Sequence, residues 1–258
     1  IRRQRQMCIR DRAIVFFAAM PEIFDRIILA PTRSDFCLYG LLASLGSARG
    51  ITPDFNADFS VSLINIQLAS QFFIHISTSF WLALVFSFPI IIYLLWSFVA
   101  PGLYEREKRG ARTAFLFGNV MFFIGVAVGY FLVFPLTLRF LAGYQVSELV
   151  PNQISLDSYM DNFLMLILVM GIIFELPLLA WLLGKTGLLT RSFFSSYRRH
   201  AVVVLLILAA VVTPTGDPFT LTVVFLPIYI LWELSARFVP SHLSLIHISE
   251  PTRLRCIS

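Results

Sequence analysis

The chain has 258 residues, of which 58% are hydrophobic and 14% are charged, and its mean hydropathy is +0.81. Soluble domains carry about 45–50% apolar and about 25% charged residues, so this composition argues against a water-soluble domain and favours one integral membrane domain. The net charge of +5 does not indicate nucleic-acid binding, because residues 13–244 hold 13 basic and 13 acidic residues and the excess lies in the two ends.

Those two ends, residues 1–12 and 241–258, differ in character from the rest. Both resemble translated sequencing-adapter sequence of the kind that contaminates metagenomic assemblies, and we expect them to be artefacts; the alternative is a pair of genuine basic tails. The membrane domain is predicted to cover residues 13–240, with the beginning of its first span missing. Apart from the cysteines of these ends only Cys37 remains, which excludes a disulfide framework.

Six apolar runs predict an all-α integral membrane protein with six transmembrane helices. A helix needs about 20 mostly apolar residues to cross the hydrocarbon core. The last two runs are short, because 12 to 14 helical residues rise roughly 18–21 Å against about 30 Å of hydrocarbon. They either extend into flanking residues or lie where the membrane is thin, and a buried helical hairpin is the alternative. The runs are 13–20 (the end of a truncated first span), 76–100, 114–134 (ending near Pro135), 159–183, 201–212 and 219–232.

Basic residues distinguish the two sides of the membrane. Segments 101–113 and 184–200 hold four basic residues each, whereas segment 135–158 holds only Arg139 and segment 213–218 holds none. Positive charge marks the cytoplasmic side of a membrane protein. The first two segments are therefore predicted to be cytoplasmic and, with six spans, so are both termini.

The sequence contains no motif for catalysis or cofactor binding. Gly184-Lys185-Thr186 lacks the first glycine of a phosphate-binding loop, because that position is Leu179, and no strand precedes it. There is no HExxH motif or other metal-ligand spacing, and no serine lies in a G-x-S-x-G setting. We predict no catalytic residue, no metal and no cofactor, and a protein that binds and moves something.

Glu175 is the most informative residue, because it lies about two-thirds of the way along the fourth apolar run. A carboxyl group in hydrocarbon costs several kcal/mol unless it is protonated, paired or hydrated. Pro177 cannot donate a backbone hydrogen bond, so a bend beside the acid can open a polar pocket between helices. We predict a groove lined by Phe174, Glu175 and Pro177. The alternative is a protonated glutamate that is hydrogen-bonded to a neighbouring helix.

A second signal is the stretch around the end of the second span. Pro89 is predicted to kink that span, and Pro101 with the glycine after it breaks the helix at the membrane interface. Glu105 and Glu107 are then predicted to project from a loop otherwise dominated by basic groups, which suits binding of a cationic ligand. The alternative is a self-neutralised cluster, because Glu105 and Arg109 are i,i+4 neighbours if this stretch is helical. The residues alone do not decide between the two.

Four stretches of the chain resemble, in order, the TatC subunit family of the twin-arginine protein translocase. The pattern W-x-F-x-A-P-G-L-Y-x-x-E-[KR]-R, at residues 96–109, and the pattern F-E-[LV]-P, at residues 174–177, are specific to that family. The resemblance covers roughly residues 13–238. The four stretches are FPIIIYLLWSFVAPGLYEREKR, GYFLVFPLTLRFL, SYMDNFLMLILVMGIIFELPLLAWLL and VVTPTGDPFTLTVVFLPIYILWELS.

The resemblance implies six helices in a cupped bundle in the bacterial cytoplasmic (inner) membrane, with both termini in the cytoplasm. It implies a receptor for signal peptides that carry consecutive arginines on folded cargo. Its partners are TatA- and TatB-type single-span subunits in an oligomeric complex, together with membrane lipid, and not nucleic acid. Transport is driven by the proton-motive force without ATP.

The resemblance also implies roles for individual residues. The glutamate of the family's first cytoplasmic loop matches Glu107 and helps to bind the arginine pair, with Pro101, Tyr104 and Glu105 beside it. The family's intramembrane glutamate matches Glu175 and lines the concave face. These residues, with Pro89, Phe174 and Pro177 as groove residues, form the predicted signal-peptide site.

The chain departs from the family at its N-terminus. The family's amphipathic segment with an H-L-x-E-L-R pattern supplies a second acid to the arginine site, and it is absent where residues 1–12 stand. We therefore expect the chain as given to bind signal peptides poorly. Two other function classes stay open: a proton-coupled transporter of a small solute that uses Glu175, and an intramembrane enzyme. The first lacks visible inverted repeats, and the second lacks a nucleophile–base pair.

Overall fold

The computed structural model describes residues 2–33, 36, 38–40, 61–99, 105–145, 147, 152–185, 189, 191–213 and 216–239. This part of the protein is helical apart from one short pair of parallel strands and the connecting segments. The elements in chain order are α1 (Arg2–Ile23), a π-helical turn (Phe24–Ile28), a 3₁₀ turn (Ala30–Thr32), β1 (Leu63–Ile64), α2 (Ser70–Val99), α3 (Glu105–Val128), a π-helical segment (Gly129–Val133), α4 (Phe134–Gly143), β2 (Ile154–Ser155), α5 (Leu156–Ile173), α6 (Leu176–Lys185), α7 (Arg191–Ser196), α8 (Arg198–Val212) and α9 (Pro218–Phe238).

Four helical stretches of the described residues are long and apolar enough to cross a membrane. They correspond to the predicted second, third, fourth and sixth spans. The sixth is longer than its predicted run, because α9 has 21 residues and continues past the apolar stretch into charged residues that suit the membrane surface. Helix α8 has 15 residues, so the fifth run stays short as predicted. The four stretches are Ser70–Leu94, Thr113–Gly143, Leu156–Gly184 and Pro218–Arg237.

Helix α1 runs without interruption across residues 12 and 13, where the sequence predicts the boundary between an artefact and the membrane domain. A helix can continue through either kind of segment, so this continuity does not bear on the origin of residues 1–12. The proposed division of the chain at residues 13 and 240 stays a prediction. Residues 240–258 lie outside the described part of the chain.

The third span does not end near Pro135, so that prediction is wrong. Helix α3 passes into the π-helical segment and α4 follows directly, which makes one helical rod from Glu105 to Gly143. A proline inside an α-helix removes a backbone hydrogen bond and clashes with the carbonyl four residues earlier. The wider π turn accommodates this defect, and Pro135 lies in the first turn of α4, where its missing N–H costs little.

Helices α3 and α5 approach each other closely at glycine positions. A Cβ atom at Gly125 would lie 2.6 Å from the carbonyl oxygen of Met170, and one at Gly171 would lie 2.8 Å from the ring of Phe122. In membranes, where lipid is as apolar as the helices, small residues allow the close backbone contact that holds helices together. This contact fixes the position of the C-terminal end of α5, which leads directly to Glu175.

Three tyrosine hydroxyls hold the segment after α1 at one end of the bundle, here called the tyrosine end. The parallel pairing of β1 with β2 joins the same end. Each hydroxyl donates to a backbone carbonyl of that segment. The pairs are Tyr159 with the Ile28 carbonyl at 2.5 Å, Tyr130 with the Ile27 carbonyl at 2.8 Å, and Tyr39 with the Pro31 carbonyl at 3.0 Å. Tyr39 belongs to the segment itself, and its hydroxyl also lies 3.3 Å from the Pro135 carbonyl of α4.

Tyr39 keeps its proton in this setting. Burial raises the pKa of Tyr39 to about 12, and the nearby charge of Arg139 offsets only part of that effect. The guanidinium carbon of Arg139 lies 5.0 Å from the centroid of the Tyr39 ring. The hydroxyl therefore remains a hydrogen-bond donor throughout the physiological pH range.

Replacing Tyr159 with phenylalanine is expected to destabilise the tyrosine end. The change removes one donor and leaves the carbonyl of the fully buried Ile28 without it, at a cost of about 1–3 kcal/mol. The measurement is the thermal unfolding midpoint in detergent. Tyr144→Phe is the matched control, because Tyr144 is 66% exposed. Equal midpoints for the two variants would show that the Tyr159 hydroxyl contributes nothing.

Candidate functional site

Glu175 lies at a break between helices α5 and α6. Helix α5 ends at Ile173 and α6 begins at Leu176, with Phe174 and Glu175 in a turn between them. Pro177 is the second residue of α6 and has no N–H for the carbonyl of Ile173, four residues earlier. The interruption predicted at Pro177 is therefore present, and the carboxyl group is attached where the span is broken.

The side chain of Glu175 is buried, with 8% of its surface exposed. Among the described residues, neither Oε1 nor Oε2 has a hydrogen-bond partner. Burying a carboxyl group without a partner costs folding free energy, so stability alone does not account for this residue. The alternative of a glutamate hydrogen-bonded to a neighbouring helix finds no donor in the described part of the chain.

Gly118 on helix α3 makes the space that the carboxyl group occupies. A Cβ atom at position 118 would lie 2.9 Å from Glu175 Oε2 and 2.6 Å from a methyl group of Leu178. Leu178 belongs to a buried apolar cluster with Ile92 of α2 and Phe115 of α3. The carboxyl group therefore lies at the α5–α6 break against α3, beside an apolar cluster to which α2 also contributes.

The other predicted groove residues lie close to this cluster. Phe174 is buried, and its ring carbon Cγ would lie 2.8 Å from a Cβ at Gly125. Pro89 is half-buried in helix α2, which continues through it, so the predicted kink does not break the helix. Its neighbour Phe88 stacks on Phe122 of α3 at 3.5 Å between ring centroids. This stack links the Pro89 region to the helix that faces Glu175.

Glu105 and Glu107 lie in the first turn of helix α3 and not in a loop, which corrects that prediction. Acidic residues are favoured at this position because the N-terminus of a helix carries a partial positive charge. The helical register places Glu105 and Arg109 on one face, as the self-neutralised alternative requires. Pro101 and Tyr104 lie outside the described residues, as do the side chains of both glutamates.

Helix α3 carries Glu107 at one end and, further along, Gly118, which faces Glu175. Glu107 and Gly118 both belong to α3, and they are 11 positions apart, which corresponds to about 16 Å along the helix axis. Since Gly118 faces Glu175, Glu107 lies about half a membrane thickness from Glu175.

The Glu175 side chain packs against helix α3 at Gly118. Cavities in the described part of the chain include one of about 270 Å³ near Asp25 and His75, and one of about 290 Å³ near Arg198 and Glu233. Glu175 lines neither of them. The groove beside Glu175 therefore stays a prediction. Within the described residues, no group of three or more His, Cys, Asp and Glu side chains could hold a metal ion.

Sequence reasoning missed the glycines of α3. Gly118, Gly125 and Gly129 are spaced by seven and four residues in an apolar run, which places them on one helix face. That spacing is typical of a helix face that packs closely against another helix in a membrane. It was the available signal for the surface that meets Glu175.

Comparison with known proteins covers most of the chain. The family model described as Sec-independent protein translocase protein (TatC) matches residues 8–227, a range that contains Glu107, Gly118 and Glu175. The chain is 34% identical over 215 residues to a Sec-independent protein translocase protein TatC of Blattabacterium, which covers 83% of this chain and 80% of the relative. It is 40% identical over 174 residues to the TatC protein of Helicobacter pylori strain 26695. That match covers 67% of this chain and 68% of the relative.

The fold is similar to two solved crystal structures. The crystal structure of a twin arginine translocase receptor, TatC, superposes with a TM-score of 0.69 at 27% identity, over 91% of this chain and 92% of that one. A second structure of that receptor, in DDM, superposes with a TM-score of 0.71 at 26% identity. The superposition covers 92% of this chain and 94% of that one. The prediction of an all-α membrane fold is confirmed.

Proposed function

Because this chain belongs to the TatC family of Sec-independent protein translocase proteins, we propose that it is the subunit that receives twin-arginine signal peptides of folded proteins. Its place as a membrane component of that translocase follows from the family. The observation that supports the receptor role is that the family match covers both acidic positions, Glu107 at the start of α3 and Glu175 at the α5–α6 break.

Glu107 is proposed to bind the arginine pair, with Pro101, Tyr104 and Glu105 beside it. Arginine stays charged and presents a planar fork that a carboxylate accepts through two parallel hydrogen bonds. The start of α3 carries four basic residues close to the two acids. These basic side chains compete with a cationic ligand for the two carboxylates. This competition favours a ligand with two adjacent guanidinium groups over a ligand with one.

Glu175 is proposed to keep a hydrated groove for the apolar part of the signal peptide, together with Phe174, Pro177 and Pro89. A buried carboxyl group without a partner attracts water, because hydration removes most of its cost. Pro177 has no N–H for the carbonyl of Ile173, and water can also satisfy that carbonyl. The carboxyl group packs against Gly118, so a peptide that enters the proposed groove displaces that contact.

The remaining parts of the proposal concern the setting of the protein. It works in the bacterial cytoplasmic membrane as part of an oligomeric complex with TatA- and TatB-type single-span subunits, with membrane lipid around it and both termini in the cytoplasm. The basic residues near the start of α3 and around α7 and α8 support this orientation. Transport is driven by the proton-motive force without ATP, a cofactor or covalent catalysis.

The test is photocrosslinking, in membranes, of the chain carrying the family's N-terminal H-L-x-E-L-R segment in place of residues 1–12, to a signal peptide with an Arg-Arg pair and to the same peptide with Lys-Lys. We expect crosslinking to the Arg-Arg peptide and at least about tenfold less to the Lys-Lys peptide, because lysine cannot form the forked contact. Equal crosslinking of both peptides would contradict the receptor proposal. Proton-coupled uptake of a small solute into liposomes by this subunit alone would favour the transporter alternative, for which the buried Glu175 is the supporting feature.

A further inference from the structure

The end of the bundle opposite the tyrosine end carries a polar cavity between helices. Helices α7 and α8 begin there and α9 ends there, and we call it the basic end after Arg191, Arg198 and Arg237. The cavity has a volume of about 290 Å³, roughly ten times the ~30 Å³ that one water molecule occupies. Its lining consists of Arg191, Phe194, Ser195, Arg198, Trp232, Glu233, Ala236 and Arg237.

The charges around this cavity do not cancel. Glu233 is the one carboxylate of the lining, and Arg198 forms an ion pair with its Oε2 at 2.8 Å. The hydroxyl of Tyr229 donates to Oε1 of the same carboxylate at 3.1 Å. Arg191 and Arg237 are exposed and have no ion-pair partner among the described residues. Two guanidinium groups therefore border the cavity with their charge unbalanced.

An apolar wall lies next to these charges. The ring of Trp232 packs on the buried ring of Phe194 with 4.7 Å between their centroids. Phe194 belongs to a buried cluster with Ala180 of α6 and Val239 beyond the end of α9. The candidate span of α9 ends at Arg237, so Trp232 lies in the last two turns, at the depth where the membrane meets water.

We propose that this cavity binds the phosphodiester headgroup of an anionic phospholipid. Guanidinium groups bind phosphate through paired hydrogen bonds, and Arg191 and Arg237 supply two of them. The glycerol and the first carbons of the acyl chains lie against Trp232 and Phe194. Basic pockets between helices on the cytoplasmic side of a membrane protein are suited to such headgroups. A soluble phosphate ion has the same charge chemistry but makes no use of the apolar wall.

The test is native mass spectrometry of the purified chain in detergent, titrated with phosphatidylglycerol, phosphatidylcholine and inorganic phosphate. We expect phosphatidylglycerol to bind more tightly than phosphatidylcholine, and an Arg191→Gln/Arg237→Gln double variant to bind phosphatidylglycerol about 30-fold more weakly, since each basic residue near an anionic surface contributes about fivefold. Arg199→Gln is the matched control, because Arg199 is an exposed arginine of α8 that does not line the cavity. Its affinity is expected to match that of the unsubstituted chain.

Three outcomes would overturn the proposal. They are unchanged phosphatidylglycerol affinity in the double variant, an equal loss in Arg199→Gln, and competition by inorganic phosphate at the same concentration as the lipid. An Arg191→Lys/Arg237→Lys variant keeps both charges and separates loss of charge from loss of structure. We expect it to retain more affinity than the glutamine pair; an equal loss in the two double variants would also argue against a phosphodiester site.

Discussion

Replacing Gly125 with valine is expected to push helices α3 and α5 apart and to lower the free energy of unfolding by about 3 kcal/mol. A Cβ atom at this position would lie 2.6 Å from the carbonyl oxygen of Met170 and 2.7 Å from Cβ of Phe174. The first of these atoms belongs to the backbone of α5, so it cannot move aside as a side chain would. The helices must separate, and the close contact that positions Phe174 and Glu175 is lost with them.

The measurement is the unfolding midpoint of Gly125→Val in a detergent and denaturant titration. Gly143→Val is the control, because no atom lies within 4 Å of a Cβ placed at Gly143, at the end of α4. The control accounts for the intrinsic cost of valine in a helix. A Gly125→Val midpoint equal to that of the control would mean that α3 and α5 are not held at this distance.

Replacing Glu175 with leucine is expected to have opposite effects on stability and on export. Leucine removes a buried carboxyl group whose oxygens have no partner among the described residues, so the free energy of unfolding rises by about 1–3 kcal/mol. Export of a reporter with a twin-arginine signal peptide is expected to be largely lost, because an apolar side chain closes the proposed groove. A gain in stability at the expense of activity is typical of residues kept for function.

Two further variants separate the possible roles of this carboxyl group. Glu175→Gln keeps hydrogen bonding but cannot release a proton, and we expect it to keep export, because the proposed role is hydration and not proton transfer. Thr137→Val removes a buried hydroxyl that has no partner among the described residues and lies away from the groove, and it is expected to leave export unchanged. Full export by Glu175→Leu would contradict the groove, and lost export by Glu175→Gln would indicate a titrating role instead.

The sequence allowed four of the spans and the break at Glu175 to be predicted, because both features depend on local chemistry. About 20 apolar residues have few alternatives to crossing a membrane, and Pro177 disrupts a helix wherever it stands in the interior. Pro135 has the same chemistry, but the helix continues through it, because the π-helical segment before it accommodates the missing hydrogen bond. That compensation depends on how α3 and α5 pack and is not visible in the residues around the proline.

The site was only partly accessible from the sequence, for a related reason. The charge pattern drew attention to Glu105 and Glu107 but suggested a loop, whereas the structure places both residues in helix α3. Gly118 carries no chemistry of its own. Its importance appears only when α3 is placed against the α5–α6 break, where the missing side chain makes room for Glu175.

The most direct test of the receptor proposal is the affinity of an Arg-Arg signal peptide for Glu107→Ala, measured by photocrosslinking titration in membranes with the family's N-terminal H-L-x-E-L-R segment in place of residues 1–12 in every variant. Loss of a hydrogen-bonded charge pair costs about 1.5–3 kcal/mol, which predicts binding that is about 10- to 100-fold weaker than for the unsubstituted chain. Asp161→Ala removes an exposed carboxylate near the tyrosine end, and binding is expected to stay unchanged. Equal affinity of Glu107→Ala and the unsubstituted chain would contradict the assignment of the arginine pair to Glu107.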